Sequence, residues 1–169
     1  LIRHDEPSPT RSALMVRLSH GHIRFGSFQR LNYIDDVAGL RALIAHTIEV
    51  HYPALKDVAE EEQGAALFGA VAERAADTCA AWMIAGFVHG VLNTDNMNIT
   101  GESFDYGPYR FLPRCDPDFT AAYFDNMGLY RYSRQPEAVA WNLSRLAEAL
   151  APFASQYALK PAFEAYGAN

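Results

Sequence analysis

Between His89 and Gly107 the chain crowds together side chains that can bind a cation or move a proton. The run His89-Gly90-Val91-Leu92-Asn93-Thr94-Asp95-Asn96 carries two amides and a carboxylate, and Asp105-Tyr106-Gly107 begins nine residues after Asn96. A side-chain amide and a carboxylate brought together by a short hairpin suit magnesium, which takes hard oxygen ligands and completes its shell with water and phosphate. Asp95 adds a second carboxylate next to Asn96, pointing its own way. The plainer reading is a loop that satisfies its own backbone, with Asp105 capping the turn before Gly107-Pro108. His20, His22, His46 and His51 lack an HExxH-type spacing, so they do not read as a zinc site.

Those residues need a scaffold, and the flanking sequence predicts a mainly helical one. Residues 1–12 mix charge, Pro and Ser without periodicity and read as a tail or linker, leaving 13–169 as the folded domain. Ala13 to Ser19 alternates, with Leu14, Val16 and Leu18 on one face, which predicts a short half-buried strand. His20-Gly21-His22 breaks it, and a helical stretch follows Gly26. The first clear helix is expected from Asp35 or Asp36 to about His51, with Val37, Leu40, Ile44, Thr47 and Ile48 on one face and Pro53 as its stop. A longer helix spans about Glu60 to Phe87, and its stripe of Leu67, Phe68, Val71, Ala75, Cys79, Trp82, Met83 and Gly86 predicts a central position. A hairpin signal sits around Thr100-Gly101-Glu102. Residues 113–134 form an aromatic loop region whose tyrosines, with Tyr106 and Tyr109, read first as packing. A third helix starts near Pro136, buries Val139, Leu143, Leu146 and Leu150, and ends at Pro152. A last short helix is expected over Pro161 to Tyr166.

Composition narrows the classes. With 169 residues, half of them apolar, the chain is long enough for one domain with a sizeable core. A net charge of -6 argues against general nucleic-acid or membrane-surface binding, since both need a positive patch. Cys79 and Cys115 form no CxxC and read as two reduced thiols, which points to the cytoplasm. No apolar run approaches the length of a bilayer span, and no basic-then-apolar leader opens the chain. The first residue is Leu, which leads us to expect a chain that begins mid-protein or has been processed.

The order of a long buried helix, a polar loop, a small hairpin and Asp-x-Gly resembles the catalytic core of protein kinases, H-R-D-x-x-x-x-N followed by D-F-G. His89 and Asn96 match that spacing, and Asp105-Tyr106-Gly107 stands where D-F-G would. The position of the kinase base, however, is Val91, which cannot accept a proton. A more specific resemblance resolves this. HGVLNTDNMNITGESFDYGPYRFLPRCDPDF looks like the signature segment of the selenoprotein O family, with its HGV-x-NTDNM and DYGP elements. VRLSHGHIRFGSF is similar to that family's SHIRFG segment, and RQPEAVAWNLSRLAEAL to its downstream RQP and WNL helix. The three stretches stand in the family's order and cover most of residues 13–152.

The resemblance implies a kinase-like C-lobe, with a catalytic loop and short hairpin on a helical core, that transfers AMP from ATP bound in a flipped orientation. By position, Asp95 would be the general base, Asn96 and Asp105 the magnesium ligands (manganese being an alternative ion), and Arg17 and Arg24 the grips on the terminal phosphates. Guanidinium groups suit that task, because attack at the alpha-phosphorus expels pyrophosphate and its charge must be held. A lone arginine is otherwise most often a surface ion-pair former. The acceptors would be Ser, Thr or Tyr hydroxyls of proteins in a bacterial cytoplasm. The resemblance further implies an upstream lobe with a glycine-rich strand region, a phosphate-contacting lysine and its acidic partner, and a downstream region that in some members carries a redox motif. Neither is found in these 169 residues. Two rival readings remain at this stage: a catalytically silent pseudokinase scaffold, and a small-molecule phosphotransferase, which would want Asp at position 91.

Overall fold

The computed structural model describes residues 14, 16–154, 159, 160 and 164. Four α-helices build the described core: α1 (Phe25–Tyr33), α2 (Val37–His51), α3 (Gln63–Ala85) and α4 (Gln135–Leu150). Between α3 and α4 lie two strands of two residues each, β1 (Phe87–Val88) and β2 (Arg110–Phe111), paired antiparallel with Phe87 opposite Phe111. The architecture is thus mainly helical with one small sheet, as the sequence predicts.

Helices α2, α3 and α4 each carry a readable start or stop signal. The Asp36 carboxylate caps α2 by accepting from the Gly39 N–H at 2.8 Å, and Pro53 follows its end. Leu40, Ile44, Thr47 and Ile48 are buried as expected, whereas Val37, in the first turn, is exposed. The stretch expected as one helix from Glu60 opens with a 3-10 turn over Glu60–Glu62 before α3 proper. It closes at Gly86, whose φ of 65° no β-carbon would welcome, and whose N–H returns to the Met83 carbonyl. The stripe from Leu67 to Trp82 is buried. Helix α4 carries Pro136 in its first turn and buries Val139, Leu143, Leu146 and Leu150 completely, each worth about 2 kcal/mol of transfer free energy. It packs against both α1 and α3.

Three expectations need correction. Helix α1 is a distinct element that buries Phe25 and Phe28, where the sequence reading saw only an unbounded helical stretch. The half-buried strand over Ala13 to Ser19 does not form at its described residues: Leu14, Val16 and Leu18 are 96 %, 82 % and 91 % exposed and belong to no ladder. Alternation alone makes no strand without a neighbouring strand to bond and a surface to bury against. The hairpin around Thr100-Gly101-Glu102 forms only as a turn, Gly101 N–H to Asn98 carbonyl at 3.0 Å, because its flanks have other partners. Ile99 N–H bonds the Ile23 carbonyl, and Thr78 and Arg74 of α3 take the Gly101 and Thr100 carbonyls. The short helix expected over Pro161 to Tyr166 lies largely outside the described residues.

Candidate active site

The loop after β1 is tied down from behind by α4. Buried Gln135 accepts from the His89 N–H and donates to the Phe87 carbonyl, both at 2.9 Å. Asn142, two helical turns on, donates to the Leu92 carbonyl at 2.9 Å. His89 is itself buried, with Nε2 at 2.8 Å from the Phe104 carbonyl. Burial holds its pKa below the usual imidazole range, with the Phe104 carbonyl pulling the other way, so the ring is a neutral strut between loop and return arm. Asn93 then turns the chain: its Oδ1 accepts from Asp95 N–H at 2.9 Å, and a single 3-10 turn presents Asp95 and Asn96.

From the front, residues 19–25 lie along residues 97–102. Phe25 N–H bonds the Met97 carbonyl, Arg24 pairs with Asn98, and Asn98 Nδ2 reaches the Gly21 carbonyl at 2.8 Å. Glu102 fastens the start of this segment: it accepts from Ser19 Oγ at 3.0 Å and from His20 N–H at 3.2 Å, with His20 Nδ1 at 2.9 Å. Chiefly through the His20 hydrogen bond, its carboxyl pKa is pulled down to about 2.

The segments converge on Asp105. Asn96 Nδ2 donates to Asp105 Oδ2 at 2.8 Å, so the two expected metal ligands do meet. Asn96 Oδ1 is buried and has no hydrogen-bond partner. Asp105 itself sits at φ 56°, a left-handed conformation that costs a non-glycine residue about 1 kcal/mol and that aspartate tolerates better than most. Two magnesium ligands on adjacent octahedral corners at about 2.1 Å lie about 3.0 Å apart, close to the separation found here. A half-turn of the Asn96 amide would bring its orphan oxygen round beside Asp105. The donor set therefore fits a magnesium ion held by two side chains, with water and phosphate completing the shell. Among the described residues no group of three or more His, Cys, Asp or Glu gathers for a metal, here or elsewhere.

The two arginines rest on the rings that neighbour Asp105 in sequence. Arg24 lies over the Phe104 ring at 5.3 Å and Arg17 over the Tyr106 ring at 5.6 Å, on either side of Asp105 in sequence. Arg17 also stands 4.0 Å from Glu102. Asp95, the neighbour of Asn96, has its Oδ1 against Gly26 in the first turn of α1, where an added β-carbon would overlap it. It opens into a polar cavity of about 560 Å³ that Gln29, Arg30 and Arg145 also line. A second cleft, of about 940 Å³, lies between Arg17, Trp82, Glu102 and Tyr106.

The family described as "Protein adenylyltransferase SelO" matches residues 1–169, the whole chain. A protein of Synechocystis sp. named "Protein nucleotidyltransferase YdiU" is 48 % identical over 167 residues, 98 % of this chain and 35 % of its own length. Proteins of the same name from Trichormus variabilis and Vibrio cholerae are 52 % and 46 % identical over 86 % and 92 % of the chain. The chain belongs to the SelO family. It spans about a third of the length of these bacterial relatives. The three stretches that carry the resemblance, 16–28, 89–119 and 134–150, are distant in sequence and meet in space: one lies along the front of the loop, one is the loop and its return arm, and one holds it from behind.

Sequence reasoning missed four residues of this SelO-family site. Gln135 and Asn142 were legible in principle, since both fall in helical register with the buried seam of α4, where an amide must have a partner. Gly26 and Glu102 carried no such signal; only the close approach of Asp95 and the docking of Ser19 and His20 reveal them. No helix among the described residues is long and apolar enough to cross a membrane.

Proposed function

We propose that this chain supplies the metal-binding and proton-accepting part of a protein adenylyltransferase, organised like a kinase C-lobe, that moves AMP from ATP to a protein hydroxyl. The observation that carries the reading is the meeting of Asn96 and Asp105, with a buried, unpartnered Asn96 oxygen beside a strained aspartate. Asn96 and Asp105 would hold magnesium, which when bound neutralises phosphate charge. Asp95 accepts the proton of the acceptor O–H. The hydroxyl oxygen bonds to the alpha-phosphorus, the bond from that phosphorus to the bridging oxygen breaks, and pyrophosphate leaves with the electron pair. Arg17 and Arg24 grip the departing phosphates from either side of Asp105. Val91 leaves the kinase base position empty of any proton acceptor, which favours Asp95 in that role and disfavours gamma-phosphoryl transfer.

The test uses an enzyme of the relatives' full length that carries this chain. It receives ATP labelled at the alpha position in one reaction and at the gamma position in another, with magnesium and a mixed protein substrate. Alpha label in protein, with released pyrophosphate, is the expected result. Gamma label would restore the phosphotransferase reading, and no label from a folded enzyme would favour a silent scaffold.

A further inference from the structure

We infer that the polar cavity beside Asp95 is the acceptor subsite, and that Arg30 selects protein segments with an acidic side chain about two residues from the target hydroxyl. The inference rests on the transfer reading above and adds to it the class of acceptor. Gly26, Gln29, Arg30 and Tyr33 all line this cavity, and their spacing of three, four and seven residues puts them on one face of α1. That face begins where Gly26 meets Asp95. Arg30 lies one turn further, about 6 Å along the axis, which an extended acceptor chain covers in about two residues.

The charges of the cavity single out Arg30. Arg145 and Glu148 of α4 also line the cavity and engage each other: the Arg145 guanidinium pairs with Glu148 at 2.7 Å and lies over the Trp141 ring at 5.4 Å. Asp95 is committed to the acceptor proton. Among the described residues no carboxylate pairs with Arg30, whose side chain is exposed at the cavity's edge. Beside it Tyr33 stands 88 % exposed, an aromatic and an arginine together on a surface, which is the composition that protein interfaces favour. A cation left unpaired one helical turn from a proton acceptor is placed to read the neighbour of the residue being modified.

The test offers the full-length enzyme a degenerate peptide mixture with a central Ser, Thr or Tyr, alpha-labelled ATP and magnesium, and sequences the modified products. Asp or Glu should be enriched over Lys by about fivefold at two residues from the acceptor on one side, the scale of a partly exposed ion pair. Arg30→Glu should reverse the preference toward Lys, Arg30→Lys should keep it, and the change should fall on acceptor choice and not on the KM for ATP. Modification without charge preference, or an Arg30→Glu effect that falls on the KM for ATP, overturns this inference and leaves the transfer reading standing. Failure to label any peptide or protein overturns both.

Discussion

The loop from β1 to Asp105 is held from two sides, and the two sides are made of different materials. Behind it, α4 uses neutral amides, Gln135 and Asn142, that are fully buried and bond to backbone groups of residues 87–92. In front, residues 17–20 are fastened by an ionised carboxylate, Glu102, on a surface that is only partly covered. A buried amide that loses its partners leaves carbonyl and N–H groups stranded, so the rear clamp answers for folding. A half-exposed carboxylate can exchange its partners for water at small cost, so the front clamp answers for the pose of Arg17. In the reading proposed above, the loop between them carries the chemistry.

Changes to the loop itself should be the most damaging to activity and the least to folding. Asp95→Ala should lower transfer of alpha label by about 10²–10⁴-fold, the usual worth of a general base, with the melting temperature little changed. Asp105→Ala should cost at least as much, because the proposed cation site would lose its carboxylate. Gly26→Ala should reproduce part of the Asp95→Ala loss by pushing Oδ1 aside. If Gly26→Ala is fully active, Asp95 does not work in the position it holds here.

The rear clamp is tested by stability. Gln135→Leu strands the Phe87 carbonyl and the His89 N–H together, at about 1–3 kcal/mol for each group, so urea unfolding should show a loss of about 2–6 kcal/mol. Asn142→Leu strands only the Leu92 carbonyl and removes an amide oxygen that already lacks a partner, so its loss should be the smaller of the two. No loss from either variant would mean that α4 holds the loop by its apolar seam alone.

What was legible in the sequence follows the same division. Helices α2, α3 and α4 could be read because their apolar residues repeat at helical spacing and their ends carry Asp36, Gly86 and Pro136. Asn96 and Asp105 could be read because a motif names them, and they do touch. The strand over residues 13–19 and the hairpin at Thr100-Gly101-Glu102 misled because pairing is a property of two segments, and each segment shows only its own half. Residues 97–99, just before that expected hairpin, bond to residues 23–25, some seventy positions earlier, which no local pattern can announce. Arg17 and Arg24 were placed by resemblance alone; the rings of Tyr106 and Phe104 give their positions a physical reason.

The front clamp should give the smallest effect and the clearest pH signature. Glu102 has its pKa pulled down to about 2, first by the His20 hydrogen bond and further by Thr100 and Ser19, against an ordinary value of 4.5. A depressed carboxyl contributes its full share of stability above the unfolded value, near pH 4.5, and loses it as pH falls toward 2, because the unfolded chain takes up the proton first. Glu102→Gln removes that share at every pH. The stability difference between the parent and Glu102→Gln should therefore be constant above about pH 5, shrink through pH 4 and 3, and vanish near pH 2. Urea titrations at those values measure it directly. At neutral pH the same variant should weaken ATP dependence more than folding, since Arg17 stands 4.0 Å from the lost charge and loses the anchored segment that carries it. A gap that stays constant down to pH 3 would mean that the carboxyl titrates normally, and that Ser19 and His20 are held by something other than its charge.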